Sequence, residues 1–215
     1  MRDAERDELL VKWNETSASA ARYETLHEWF ESGAHSERVA LSWKETSYTF
    51  AEVNRRANDI AAHLVRNGIP PLRPVAIFMR RSPEQVFALL GTLKAGCYFV
   101  PVDPDYPRER VKQMLEDAAP ACILSQRGLD VAFDVKAPIV RVDEPLAAGP
   151  DAPRFPKLPR QAPAYGIYTS GSTGRPKCAV VTHENIVNHM AWMIETFCFD
   201  ESTRVLQKTS ASFDA

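Results

Sequence analysis

Cysteine is scarce in this sequence of 215 residues, and its spacing excludes two classes of protein. A zinc site or a disulfide framework needs paired or closely spaced cysteines. The four cysteines lie far apart and form no CxxC pair: Cys97, Cys122, Cys178 and Cys198. We therefore expect neither kind of site, and scattered free thiols favour a protein of the reducing cytoplasm.

Long apolar runs and an excess of charge of one sign are also missing. No apolar stretch approaches the length of about 20 residues that a membrane-spanning helix requires. The 26 basic and 28 acidic residues give a net charge of −2, which provides no general basis for binding nucleic acid or an anionic membrane. The first ten residues, MRDAERDELL, lack the apolar core of a secretory signal.

Strand and helix patterns alternate from residue 38 onward. The apolar runs PVAIFM and CYFVPV are typical of strands buried on both faces of a parallel sheet. Between them, Ser82 to Gln85 (SPEQ) predicts a capping box at the start of a helix. An earlier helix pattern carries an apolar stripe of Val53, Ala57, Ile60, Ala61 and Leu64. This order predicts an α/β fold with a doubly wound, mostly parallel sheet.

Composition divides the chain into four predicted parts. Residues 1–37 form a polar linker arm with one amphipathic helix that ends near Gly33. Residues 38–144 form a first α/β subdomain. Residues 145–163 contain six prolines and are predicted to be an extended linker. Residues 164–215 begin a second α/β subdomain with strand YGIYTS, a polar loop, strand CAVVTH, a helix and strand RVLQKTS.

The polar loop has the composition of a phosphate-binding loop. In YTSGSTGRPK, six of the first seven residues are Thr, Ser or Gly, and Lys177 follows. Glycines let backbone N–H groups approach a phosphate closely, while hydroxyls and a lysine add donors and charge. The P-loop of NTPases would need Gly-Lys-Ser/Thr in a row at the start of a helix, which is absent here. A hydroxyl-rich turn between two strands is the alternative interpretation.

The same stretch closely resembles the phosphate-binding signature of the adenylate-forming, AMP-binding enzymes. LKAGCYFVPVDPDYPRERV and SYTFAEVNRRANDIAAHL resemble two segments of the amino-acid-activating branch, the adenylation domains of nonribosomal peptide synthetases. VKWNETSA and TLHEWFE resemble the segment that leads into such domains from an upstream module. The four motifs occur in the family's order, so the chain resembles the N-terminal part of this domain and its fold.

The resemblance implies an ATP-dependent ligase. An amino-acid carboxylate attacks the α-phosphorus of ATP, pyrophosphate leaves, and a phosphopantetheine thiol on a peptidyl carrier protein then takes the aminoacyl group. ATP and Mg²⁺ are the implied cofactors, with the metal's site residues expected beyond Ala215. An upstream condensation domain is a further implied partner, within secondary-metabolite biosynthesis. No catalytic or metal-binding residue is assigned within the chain itself.

The resemblance also assigns binding residues. The β- and γ-phosphates of ATP fall to Thr169, Ser170, Gly171, Ser172, Thr173, Gly174 and Lys177. Asp214 takes the position of the carboxylate that pairs with the α-ammonium of the substrate, with Phe213 on the pocket wall beside it. A buried ammonium needs such a partner, so Asp214 favours an amino acid over the substrates of an acyl- or aryl-CoA ligase, the alternative function. A merely solvated Asp near a terminus is the other interpretation of this residue.

Several other residues carry expectations. Cys178 stands where the family usually has glycine, and a positive φ there would cost about 1 kcal/mol. Its thiol is expected to be inert, and His183 is expected to start a helix or to pack. Arg108 and Arg110 are expected on a solvated helix face. A core position is expected for Trp192, Met193 and Phe197.

The last residues, SASFDA, follow a predicted strand, and the family's later motifs would lie beyond Ala215. We therefore expect a truncated domain that is inactive alone in ATP–pyrophosphate exchange. We also expect a sheet edge that a partner or another copy covers. A non-catalytic fragment that serves only in assembly is the third interpretation.

Overall fold

The computed structural model describes residues 3–15, 23–129, 133, 135–146, 154–169 and 176–213. Six α-helices lie in these ranges: α1 Asp3–Leu10, α2 Leu26–Ser32, α3 Phe50–Arg66, α4 Pro83–Lys94, α5 Arg108–Ala118 and α6 His183–Thr196. A short 3-10 helix, Lys12–Asn14, follows α1. The strands are β1 Val39–Trp43, β2 Thr46–Thr49, β3 Pro74–Phe78, β4 Tyr98–Val102, β5 Cys122–Ser125, β6 Ile139–Arg141, β7 Pro163–Thr169 and β8 Lys177–Thr182.

Six of the strands form one sheet in the order β6-β5-β3-β4-β7-β8. All neighbours are parallel except β7 and β8, which form an antiparallel hairpin at one end. Strands β1 and β2 make a separate antiparallel pair. The prediction of an α/β fold with a mostly parallel sheet is therefore confirmed.

Helices cover both faces of the sheet because side chains along a strand point alternately to either side. From β3, Val75 and Ile77 pack in the cluster that includes residues of α3 and α4. Ala76 and Phe78 pack on the other face, in a cluster with residues of α5. The sheet is thus doubly wound, and β3 is buried along its whole length.

Local sequence signals set the helix starts. Thr49 caps α3 through a reciprocal capping box with Glu52. Ser82 caps α4 by accepting a hydrogen bond from the Gln85 backbone N–H. The predicted box at this second helix is only half right, because the Gln85 side chain donates to the Met79 carbonyl, 3.2 Å away. Gly33 ends α2, as predicted.

The sheet continues on both sides of the predicted linker at residues 145–163. Tyr165 of β7 pairs with Phe99 of β4, so the hairpin joins the sheet that residues 74–141 build. The division of the chain into an arm, two subdomains and a linker remains a prediction.

One predicted strand does not form. RVLQKTS, residues 204–210, has no strand structure, and Val205 and Leu206 are 76% and 84% exposed. A strand needs a neighbour for its backbone hydrogen bonds, and none of the described residues supplies one for this segment. None of the described helices is long and apolar enough to cross a membrane.

Candidate functional site

The β7–β8 hairpin presents the two ends of the polar loop. Thr169 pairs with Lys177 as the last pair of the antiparallel register. The Thr169 hydroxyl donates a hydrogen bond to the Lys177 carbonyl, 3.4 Å away, and both residues are exposed. The chain therefore leaves the sheet at Thr169 and returns at Lys177, and both residues are exposed where the pairing ends.

Most of the predicted binding residues lie outside the described residues. This holds for Ser170, Gly171, Ser172, Thr173 and Gly174 of the loop, and for Asp214. Phe213, the predicted wall residue, is 66% exposed. The described site thus consists of Thr169 and Lys177 with the side chains that hold the hairpin, and the assignment of the binding residues remains a prediction.

Tyr168 fixes the base of the hairpin from the buried side. Its hydroxyl donates a hydrogen bond of 2.6 Å to Oδ2 of Asp117, at the end of α5. Burial is the largest cause that raises the pKa of Tyr168, and the Asp117 carboxylate is the next. The raised pKa keeps the phenol protonated, so it can donate this hydrogen bond. The residue before Thr169 is therefore tied to a helix on one face of the sheet.

Cys178 lies in a regular strand position. It belongs to β8, pairs with Tyr168, and is absent from the positive-φ residues, so the cost expected for a Cβ at a positive φ does not arise. Burial raises the pKa of its thiol, and the Asp117 charge adds to this effect. A raised pKa disfavours the reactive thiolate and agrees with the expectation of an inert thiol.

His183 is buried at the first position of α6, as predicted. Its Nδ1 accepts a hydrogen bond of 3.2 Å from the Leu26 backbone N–H at the start of α2. Its ring meets that of His27 edge to face, with 5.4 Å between the centroids. Burial first, and the neighbouring histidine second, lower the pKa of His183 to about 4. The start of α6, directly after β8, is therefore fastened to α2 by a neutral imidazole.

The carboxyl edge of the parallel strands gathers residues that sequence reasoning missed. The ends of β3, β4 and β7 share this edge because the three strands are parallel. Arg81 follows β3 and donates a hydrogen bond of 2.7 Å to the Lys208 carbonyl. Asp103 follows β4, and its Oδ2 accepts a hydrogen bond of 2.9 Å from the Ser210 hydroxyl. Polar residues within three positions of the ends of two largely buried strands were the available signal.

One expectation about other side chains is wrong, and a second holds only in part. Trp192 and Phe197 are 53% and 56% exposed rather than core residues, because α6 turns this face away from the sheet. Arg108 is exposed, as expected, whereas Arg110 is only partly exposed. Their guanidinium groups lie over the rings of Phe133 and Tyr106, at 5.0 and 4.7 Å from the ring centroids.

A separate groove of about 410 Å³ is unsuited to a nucleotide. Apolar side chains of α2, β1, α3, α4 and β4 line it, including Phe30, Leu41, Phe50, Leu90 and Phe99. It offers almost no donors for phosphate. In the described ranges, no group of three or more His, Cys, Asp or Glu side chains is arranged to hold a metal ion.

Comparison with known proteins gives consistent matches. The model of the AMP-binding enzyme family matches residues 29–215. The chain is 39% identical, over 98% of its length, to tyrocidine synthase 3 of Brevibacillus parabrevis, and it covers 3% of that protein. It is 36% identical over 98% of its length to a dimodular nonribosomal peptide synthase of Bacillus subtilis, and it covers 9% of that protein. The chain thus spans less than a tenth of the length of these curated relatives.

A solved structure supports the same fold. A crystal structure of the nonribosomal peptide synthetase FmoA3 in its AMPPNP-bound form superposes with a TM-score of 0.86 at 29% identity. The match covers 97% of this chain and 22% of that one.

Proposed function

The chain belongs to the AMP-binding enzyme family, and from this membership we propose that it is the N-terminal part of an amino-acid adenylation domain of a nonribosomal peptide synthetase. The proposed reaction activates the carboxylate of an amino acid with ATP. The carboxylate oxygen attacks the α-phosphorus, the bond to the bridging oxygen breaks, and pyrophosphate leaves. An aminoacyl adenylate is the product.

The observation that carries this proposal is the geometry of the β7–β8 hairpin. Thr169 and Lys177 form its last backbone pair, and the residues between them include the hydroxyls and glycines of residues 170–174. Phosphoryl transfer depends mainly on positioning and on stabilisation of charge. We propose that Thr169, the loop and Lys177 bind the β- and γ-phosphates and orient pyrophosphate as it departs.

The lysine is suited to this role by its exposure and by its anchored backbone. The strand pairing fixes where its Cα lies, and the hydrogen bond between the Thr169 hydroxyl and the Lys177 carbonyl fastens the two strand ends together. Lys177 is exposed, so solvent and ligands can reach its side chain. A compact point charge on a flexible stem is a common solution for phosphate binding.

We propose an amino acid as the acid substrate, with Asp214 as the partner of its ammonium group and Phe213 beside it. The proposal rests on the match to peptide synthetases and on the need of a buried ammonium for a counter-charge. Acceptance of the aminoacyl group by a carrier-protein phosphopantetheine, contact with a condensation domain, a requirement for Mg²⁺ and a cytoplasmic location belong to the same proposal.

ATP–pyrophosphate exchange in the full-length protein tests the phosphate role. Replacement of one preorganised charge at a reacting phosphate is expected to lower kcat/KM by about 100-fold or more, so we expect this loss in Lys177→Ala. Lys157→Ala removes another exposed lysine and is the matched control, with exchange expected within about twofold of wild type. Equal exchange in the two variants would contradict the proposal.

The choice of acid is tested in the same assay. Exchange that depends on an added amino acid supports an adenylation domain of a peptide synthetase. Exchange that depends only on fatty or aryl acids would instead identify an acyl- or aryl-CoA ligase and would remove the proposed role of Asp214.

A further inference from the structure

Residues 208–213 are fastened to the carboxyl edge of the sheet at two points. The Arg81 guanidinium donates a hydrogen bond of 2.7 Å to the carbonyl of Lys208. Two residues later, the Ser210 hydroxyl donates a hydrogen bond of 2.9 Å to the Asp103 carboxylate. Both bonds cross more than 100 residues of sequence, so they fix this segment against a distant part of the fold.

Asp103 is itself held in place by its own loop. Its Oδ1 accepts a hydrogen bond of 3.0 Å from the Asp105 backbone N–H, and its carbonyl accepts one of 3.2 Å from the Tyr106 N–H. One carboxylate oxygen therefore organises the loop, and the other is directed to Ser210. A charged acceptor that is already oriented loses little entropy when it binds a hydroxyl.

Ser210 extends this order toward the end of the segment. The Phe213 N–H donates to the Ser210 carbonyl at 3.0 Å, and the Ser212 N–H donates to the Ser210 hydroxyl oxygen at 3.4 Å. Ser212 is buried, with 6% exposure. The chain is thus turned and held up to Phe213. Asp214 is the next residue in the sequence.

The topology makes this edge of the sheet a suitable anchor. Strand β3 continues into α4 on one face, and β4 continues into α5 on the opposite face. In open α/β sheets, ligands bind outside the carboxyl ends of strands at such a reversal. Strand β7 lies beside β4 in the same direction and brings Thr169 to this edge. The same sheet therefore holds both the anchored segment and Thr169, the last described residue before the polar loop.

We propose that Arg81, Asp103 and Ser210 are positioning residues for the amino-acid substrate. They hold the segment up to Phe213, the residue before Asp214 in the sequence, on the sheet edge where Thr169 lies, and they touch neither substrate nor ATP. This inference rests on the proposed function, because it takes its meaning from the role of Asp214 there. The proposed function does not include these residues: Arg81 lies in the loop after β3, and Asp103 lies in the loop after β4.

The test measures KM separately for the amino acid and for ATP in the full-length protein. Ser210→Ala removes only the hydroxyl and leaves the Asp103 loop intact, while Arg81→Ala removes the second tie. Each variant is expected to raise KM for the amino acid about tenfold, the factor to which ~1.4 kcal/mol from a hydrogen bond to a charged group corresponds. KM for ATP should stay within about twofold. Ser210→Thr keeps the hydroxyl and should leave KM for the amino acid at the wild-type value.

Arg80→Ala is the matched control. Arg80 and Asp105 lie on the same two loops and form an ion pair of 2.9 Å with each other. This variant is expected to leave both KM values unchanged. An unchanged KM for the amino acid in Ser210→Ala and Arg81→Ala would overturn the proposal, and so would an equal rise of both KM values, which would indicate general loosening of the fold.

Amide hydrogen exchange distinguishes a failure of this inference from a failure of the proposed function. If the wild type shows no exchange of pyrophosphate, the proposed function fails. The anchor is then tested by amide exchange in residues 208–213. Faster exchange in Ser210→Ala than in Arg80→Ala supports the anchor, and equal rates overturn it.

Discussion

Cys178 and Gly166 share one small volume at the base of the β7–β8 hairpin. A Cβ placed on Gly166 would lie 2.6 Å from the Cys178 sulfur. The backbone of Gly166 is not in the left-handed region, so its value here is the absence of a side chain rather than conformational freedom. The sulfur fills the space that the missing side chain leaves, which explains how β8 accommodates a cysteine next to the predicted phosphate loop.

Gly166→Ala is expected to destabilise the protein by about 1–2 kcal/mol because the added methyl group overpacks this volume. Urea unfolding at constant temperature measures the change. The double variant Gly166→Ala with Cys178→Gly should recover most of the loss, since it removes the opposing atom. Gly33→Ala is the control, because its nearest neighbour would lie 3.9 Å away. Additive losses in the double variant would show that the two residues do not compete for space.

The sequence predicted the character of Cys178 but not the contact made by Tyr168. Loop composition identified Thr169 and Lys177 as candidates, and the position of Cys178 in an apolar run indicated an inert strand residue. The hydrogen bond from Tyr168 to Asp117 joins residues 51 positions apart. Such a contact leaves no trace in local periodicity, so the support under the loop could not be predicted.

Among the elements, α2 is bound to the body by polar contacts as well as by apolar packing. The buried ammonium of Lys94, in the last turn of α4, forms an ion pair with Glu31 of α2 and donates a hydrogen bond of 2.6 Å to Asn54 of α3. The Lys94 side chain is fully buried, while that of Glu31 is 40% exposed. Three helices therefore meet at one charge, and α2 supplies its counter-charge.

Removal of the Glu31 carboxylate should lower the free energy of unfolding more than removal of the Lys94 ammonium. Glu31→Ala leaves a buried ammonium without a carboxylate and is expected to destabilise the fold by about 3 kcal/mol. Lys94→Met replaces the buried charge by an apolar chain of similar length and should cost about 1–2 kcal/mol less than Glu31→Ala. Urea unfolding of the two variants gives the comparison. A larger loss in Lys94→Met would mean that the ion pair itself provides net stability.

The second polar contact of α2, through His27 and His183, predicts a dependence of stability on pH. Burial is the largest cause that lowers the pKa of each imidazole to about 4. The charge of Lys94 also lowers the pKa of His27, whereas Glu31 opposes this shift at His27 and Glu28 opposes it at His183. The unfolded state binds protons near pH 6.5, well before the folded state does. The contribution of the two neutral imidazoles to the free energy of unfolding is therefore complete above pH 6.5. It is lost as the pH falls from 6.5 through the folded-state pKa of about 4.

His183→Asn should weaken this dependence while it keeps an acceptor near the Leu26 N–H. The wild type is expected to lose on the order of 3 kcal/mol more unfolding free energy than the variant between pH 6.5 and 4. Urea unfolding at a series of pH values measures the difference. His35→Gln alters an exposed histidine and should keep the wild-type slope. Parallel curves for wild type and His183→Asn would show that His183 is not buried neutral.

Over the whole molecule, periodicity predicted the elements better than their long-range contacts. The predicted stripe on α3 is buried as expected: Val53, Ala57, Ile60, Ala61 and Leu64. The helix and strand patterns also gave the doubly wound sheet, because burial on two faces requires continuous apolar runs. Strand propensity alone failed at residues 204–210, where the described chain offers no neighbouring strand. Pairing of this kind is a property of the assembled sheet rather than of the segment.

The outer side of the hairpin leaves an apolar surface exposed. In the described sheet, β8 is a terminal strand, and Val180 on it is 51% exposed. The rings of Trp192, Phe197 and Phe199 form a chain of contacts beside α6, with centroid distances of 6.1 and 5.8 Å. Trp192 and Phe197 are exposed, and exposed aromatic side chains in contact are typical of surfaces that bind another protein surface.

The 215-residue chain alone is therefore expected to associate with itself as its concentration rises. Burial of one aromatic side chain contributes about 2 kcal/mol, so Phe197→Glu should raise the concentration of half-association at least about tenfold. Sedimentation velocity over a concentration series measures this midpoint. Trp13→Lys is the control, because Trp13 is 66% exposed but lies in the short 3-10 helix near the N-terminus. An equal shift in both variants, or a wild type that stays monomeric, would show that the aromatic surface does not drive association.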